Sequence, residues 1–241
     1  MLKILNIVFF AGMIVMNYLA NALPLNNKTT GQISDSLPNL FVPAGITFSI
    51  WAVIYLLLAG YCIVQFTGSG RTMAVNIGWL FALSCLLNAL WIVFWHYGKL
   101  PLSLIIMAGM LITLIFINLL IRDSSFGLIK AAFGVYLGWI CIATIANMTA
   151  LLVHYNWNGF GLSHEIWTII LIITGGLIAA ISLYEFRNPF IGLAVIWAFA
   201  GIILKRYDDS NPIVISAIIT LLIVGILTIW VFFRKIPGTL N

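Results

Sequence analysis

The chain reads as an all-α, polytopic membrane helix bundle of about eight transmembrane helices. Its 241 residues are 63% hydrophobic and only 7% charged, with a mean hydropathy of +1.15. A soluble domain of this size has too little interior to hide so much apolar surface. The apolar residues fall in runs near the ~20 residues that cross a bilayer core as a helix. Segments of about ten residues alternating polar and apolar are absent, which removes a transmembrane β-barrel.

Taken in order, the first span covers about 4–22. Lys3, the apolar run from Ile7 to Val15 and the triplet Ala20-Asn21-Ala22 imitate a signal peptide with a small-residue cleavage site. A retained helix is expected, because nothing soluble follows that would need export. Loop 23–42 is the longest connection, and its Asn, Ser, Gly and Pro content predicts an ordered, turn-rich lid. The second span, about 44–66, opens after Pro43 and carries Thr47, Trp51 and Tyr55 at four-residue spacing, on one stripe of a helix. The third, about 76–96, ends with Asn88, Trp91 and Trp95 on one stripe. The fourth covers about 101–121. The fifth, about 128–153, holds Gly134 and Gly138, a Gly-x-x-x-Gly pair expected to pack another helix of the same chain and also a candidate homodimer face. The sixth to eighth cover about 166–184, 189–204 and 212–233. Short connections predict that consecutive helices pack as antiparallel neighbours. The organisation divides into a block over 1–155, with loop 23–42 as lid, and a three-helix membrane extension over 156–241.

Charge placement narrows the function. All six acids, Asp35, Asp123, Glu165, Glu185, Asp208 and Asp209, fall between spans. Ion-coupled transporters use intramembrane carboxylates as relays, and a membrane hydrolase needs acid/base pairs. Neither is available, so no enzyme activity is expected. The formal charge of +5 fits loop bias and not a nucleic-acid footprint. Lys3, Arg71, Arg122, Lys130, Arg187, Arg234 and Lys235 share one face, against Lys28, Lys99, Lys205 and Arg206 on the other. That bias places both termini in the cytoplasm of a cell (plasma or inner) membrane. Cys62, Cys85 and Cys141 all lie within spans and show no metal spacing.

The chemistry converges beneath the lid. Trp51, Asn88 and Asn147 lie roughly 9–12 Å from the same face at 1.5 Å per residue. An amide in hydrocarbon must find a partner or face a cavity. Trp157, Trp167 and Trp230 suit an interfacial belt, whereas Trp51 and Trp139 lie too deep for one. A ligand cavity and a tightly packed polar core both remain compatible with these residues. His96, His154 and His164 fall near the lid face, where three loop histidines are more often solvated than ligands of haem iron or another metal.

Three motifs in register resemble the tryptophan-rich sensory protein / translocator protein (TspO/MBR) family of five-helix membrane proteins. Pro43, Trp51 and Tyr55 match its second helix. Leu87, Asn88 and Trp91 match the third, and Tyr136, Leu137, Trp139, Ala143 and Asn147 the fifth. The likeness covers roughly residues 1–155 and departs from the family at Gly45 and Leu151, where it usually has tryptophan. The resemblance implies a receptor or sensor that binds a porphyrin, haem or another lipophilic small molecule within a bundle immersed in membrane lipid. It implies that Trp51 is the stacking wall, Asn88 a donor, Ala143 a small residue keeping space open and Asn147 a supporting amide. Thr47, Tyr55, Trp91, Trp95 and Trp139 complete the candidate site. The alternative is a facilitative permease for an apolar solute using all eight helices, with Thr168, Thr174, Ser182, Ser216 and Thr220 as its main polar candidates.

Overall fold

A computed structural model describes residues 1–234 apart from Pro24, Pro38 and Phe126, and without the side chain of Ser69. Lys235, one of the seven cations assigned to the cytoplasmic face, lies outside the described residues. The described residues form helices joined by turns. They are α1 (Leu2–Asn21), α2 (Thr30–Asp35), α3 (Ile50–Val64), α4 (Gly68–Ile77), α5 (Leu80–His96), α6 (Leu100–Leu120), α7 (Leu128–His154), α8 (His164–Phe186), α9 (Pro189–Arg206) and α10 (Asn211–Phe233).

Seven segments are long and apolar enough to cross a membrane: α1, the Gly45–Val64 segment containing α3, and α6 to α10. The third expected span is shorter than its sequence suggests. The chain bends by 64° between α4 and α5, and Gly78, at φ +56, supplies a backbone conformation that side chains resist. Counting that bent pair as one span gives eight.

Local signals set the boundaries. Asn188 follows a left-handed Arg187 and accepts from the Phe190 amide, with Pro189 at the first helical position, so α8 stops and α9 starts within two residues. Ser163 and Ser210 cap α8 and α10 by accepting from Ile166 and Ile213. Lys205 and Arg206 close α9, where cations complement the carbonyl end of the helix dipole.

The core runs along α7, the most buried of the spans and about 40 Å long at 1.5 Å per residue. Helices α3, α6 and α9 pack around it, α1 and α6 flank α5, and α8 packs chiefly on α10. The expectation that consecutive helices are neighbours therefore holds for α5–α6, α6–α7 and α9–α10, but α9 rather than α8 is the main partner of α7 on its side. Gly134 and Gly138 explain the exchange. A Cβ at Gly134 would come within 2.6 Å of the Asn188 amide, and one at Gly138 would collide with the Ile191 carbonyl. The glycine pair serves contact within the chain. The last three helices are thus built onto the first block: the Ala44 amide donates to the Gly201 carbonyl at 3.0 Å, and the Trp197 indole donates to the Thr47 carbonyl at 2.8 Å.

Candidate ligand-binding site

Loop 23–42 folds back over one end of the bundle. Thr29 and Gln32 form a reciprocal capping box that starts α2 within it. The His96 ring holds this segment by both nitrogens, one 3.1 Å from the Thr30 hydroxyl and the other 3.1 Å from the Leu25 carbonyl. The Trp95 indole donates to the Thr30 carbonyl at 3.4 Å. On the opposite side, Arg206 donates to the carbonyls of Asn39 and Leu40 at 3.1 and 3.2 Å, and Lys205 pairs with Asp35 at 2.7 Å. His96 is therefore a buried lid anchor and not a solvated loop histidine. With both ring nitrogens engaged it offers no free imidazole to a haem iron, whereas His154 and His164 are exposed.

Beneath the lid, Trp51 is surrounded by rings. Its centroid lies 5.6 Å from Tyr55 in a stacked arrangement and 6.3 Å from Trp91, with Tyr136 and Trp139 edge-on at 6.0 and 6.2 Å. Trp91 stacks in turn on Trp95 at 5.8 Å. Trp51, Trp91, Trp95, Trp139, Ala143 and Asn147 line one pocket together with the lid residues Thr30 and Ser34. That pocket encloses only about 40 Å³, room for a few waters at most. Aromatic packing has closed the chamber that the sequence pattern predicts. A second space of about 320 Å³ lies on the α1 side, lined by Trp51, Tyr55, Asn17 and Ile92. Thr30, Phe48 and Trp51 line both spaces and form the wall between them.

Two expected site residues point elsewhere. Thr47 belongs to the 3-10 turn Gly45–Ser49 that precedes α3. The tighter winding takes it off the Trp51–Tyr55 stripe, and its side chain is buried against Gly201 of α9. Asn88 lies beside the chamber without lining it. It accepts from Asn17 at 2.8 Å and donates to the Tyr136 hydroxyl at 3.1 Å, which itself donates to the Met110 sulfur. Asn147 does line the chamber while donating to Ser103 at 3.1 Å.

A third cavity, about 960 Å³, has no counterpart in the sequence reading. It is a groove between the lid, the α7–α8 junction and the ends of α8 and α9 at the lid side, with Trp157, Trp167, Lys205 and Arg206 in its walls. Its signal in the sequence is the adjacent pair Lys205 and Arg206 together with Trp157 and Trp167, which also suit an interfacial belt. Among the described residues no cluster of His, Cys, Asp and Glu could hold a metal ion.

A family model described as TSPO-like protein matches residues 3–230. The chain belongs to the TSPO-like family. No curated protein and no solved structure matches it. The TSPO-like match runs through all three last helices, beyond the first 155 residues that carry the motif resemblance. It makes the chain a multi-pass membrane protein and points to small lipophilic molecules as the ligand class of this TSPO-like bundle.

Proposed function

We propose that the protein is a sensor-like receptor that binds a flat lipophilic molecule with hydrogen-bond acceptors in the chamber around Trp51. One observation carries the reading. The indole nitrogens of Trp91 and Trp139 and the Tyr55 hydroxyl are buried around Trp51 with no hydrogen-bond partner among the described residues. Leaving such a group unsatisfied costs about 1–3 kcal/mol, and a ligand bearing acceptors at its edge recovers that cost while its face stacks on Trp51. A tetrapyrrole, the ligand the family resemblance implies, exceeds the space of about 40 Å³ and that of about 320 Å³ taken singly. It requires the wall of Thr30, Phe48 and Trp51 to move so that the two join. With His96 committed to the lid, the site suits a metal-free ring better than haem. No catalysis is proposed. The permease alternative gains no support from the last three helices, because Thr168, Thr174, Ser216 and Thr220 each donate back to a carbonyl of their own helix.

Tryptophan-fluorescence titration of the purified protein with protoporphyrin, and in parallel with a smaller tricyclic ketone, tests this reading. Saturable quenching that weakens at least fivefold in Trp51→Ala supports it. Titrations indifferent to Trp51→Ala and Trp139→Phe would move binding out of the chamber. In the same reading the end opposite the lid, which gathers Lys3, Arg71, Arg122, Lys130, Arg187 and Arg234, faces the cytoplasm of the cell membrane with both termini. Reporter fusions at the two termini check it, and opposite signals would overturn it.

A further inference from the structure

The groove at the lid end orders its chemistry by depth. Lys205 and Arg206 stand at its mouth, at the C-terminal end of α9. Trp157 and Trp167 come next, their rings 5.0 Å apart. The Trp167 indole is fixed by donating to the Gly159 carbonyl at 2.8 Å. Deeper, Met148 of α7 and Leu171 of α8, six and seven residues in from the lid-side ends of their helices, give apolar walls. Leu171 lies seven residues beyond His164 along α8, so the groove descends about 10 Å from the end of the helix. Cation, then indole, then aliphatic wall complements, in the same order, what a membrane phospholipid presents from head to tail: anion, interface, acyl chain. The volume, about 960 Å³, lies within the range of sites that enclose small ligands.

The charge at the mouth is exchangeable. Among the described residues Lys205 is held by Asp35 alone, at 2.7 Å, and the two side chains are 27% and 59% exposed. Exposed pairs of this kind contribute little stability, so a phosphate can replace the carboxylate without a large loss. Arg206, by contrast, is committed to Asp209 and to two lid carbonyls. We propose that this groove is a separate lipid site that seats one anionic phospholipid of the surrounding membrane. Its phosphate lies at Lys205, its glycerol region on the Trp157–Trp167 pair, and one acyl chain along Met148 and Leu171. A zwitterionic lipid carries a cation of its own to the same mouth and is disfavoured.

The test uses the full-length protein in phosphatidylcholine nanodiscs doped with an equal fraction of brominated phosphatidylglycerol or brominated phosphatidylcholine. Quenching of Trp157 and Trp167 is isolated by difference from the Trp157→Phe/Trp167→Phe variant. Phosphatidylglycerol should quench at least twofold more. Lys205→Gln should bring the two lipids to parity and Asp35→Asn should widen the gap. Lys99→Gln, which removes an exposed lysine at the same end outside the groove, should change nothing. Parity in the unaltered protein, an excess that survives Lys205→Gln, or a loss equally produced by Lys99→Gln would overturn the site. Brominated oleate quenching as strongly as phosphatidylglycerol would overturn a phospholipid as its occupant. Should the double tryptophan variant not fold, lipid retention in native mass spectrometry of the unaltered and Lys205→Gln proteins gives the same decision.

Discussion

Two polar regions lie side by side in the bundle and are treated oppositely. In the amide seams, side chains satisfy one another across helices. Asn17, Asn88 and Tyr136 tie α1, α5 and α7, and Asn188 donates to Asn118 at 3.0 Å and to the Lys130 carbonyl at 2.9 Å where α9 meets α6 and α7. Around Trp51 the reverse holds. Of five buried polar side-chain atoms without a partner among the described residues, three belong to Tyr55, Trp91 and Trp139, which ring that indole; the others are on Asn6 and Tyr61. Without water in the hydrocarbon to compensate, an unsatisfied donor is a standing cost. The seam amides of Asn17, Asn88 and Asn188 are paired, whereas the donors around Trp51 are not.

The sharpest way to break this contrast is to remove one amide from a seam. Asn88→Ala removes the interhelical partner of the Asn17 amide, which keeps only the Met13 carbonyl of its own helix, and of the Tyr136 hydroxyl, which keeps only the Met110 sulfur among the described residues. Interhelical hydrogen bonds in membranes average only about 0.6 kcal/mol, so losing two of them from a packed seam gives an expected loss of about 1–2 kcal/mol. Unfolding of the purified protein in mixed detergent micelles measures it. A loss no greater than that of a lipid-facing control such as Leu56→Ala would make the seam ornamental.

A smaller and opposite effect is expected in the cage. Trp91→Phe or Trp139→Phe deletes a donor that has no partner while keeping an aromatic ring. Stability should therefore hold within about 0.5 kcal/mol or rise, because the buried unsatisfied group is gone. Ligand affinity should fall by about 1 kcal/mol, roughly fivefold. The same denaturation assay and the porphyrin titration read the two halves of this prediction. A destabilisation as large as that of Asn88→Ala would show that these indoles are structural.

The sequence carried the span count and most helix ends, because hydropathy, prolines and caps are local signals. The neighbourhood of Trp51 was also readable, since helical spacing and depth bring Trp51, Trp91, Trp139 and Asn147 to one level. Three things were not. The Thr47 stripe assumed α-helical winding from Pro43 onwards, and a 3-10 turn intervened. Asn88 faces a seam instead of the chamber because its partner, Asn17, lies on another helix seventy-one residues away. The α7–α9 pairing depends on close approach at Gly134 and Gly138, which a one-dimensional reading recognises as small without saying what fills the notch. The closure of the chamber to about 40 Å³ is a property of packed rings and has no sequence period at all.

The smallest expected effect separates the lid from both regions. Replacing residues 26–36 by a Gly/Ser linker would remove Thr30 and Ser34, which line the chamber itself, so that variant changes contact and closure together. Arg206 offers a cleaner cut. It lines neither space around Trp51 but holds the lid by two carbonyls, with charge-assisted bonds that are stronger than neutral ones. Arg206→Gln should therefore loosen the lid and leave the cage intact, giving a porphyrin off-rate about three- to tenfold faster, which corresponds to about 1 kcal/mol. Quenching at saturation should be unchanged, because the rings that report it have not moved. Stopped-flow dissociation of the bound porphyrin separates the outcomes. An unaltered off-rate would mean that the contacts of His96 and Trp95 and the Lys205–Asp35 pair, which survive the substitution, keep the lid shut. A drop in saturating signal would mean that α9 shapes the chamber through Trp197 and Thr47 rather than through the lid.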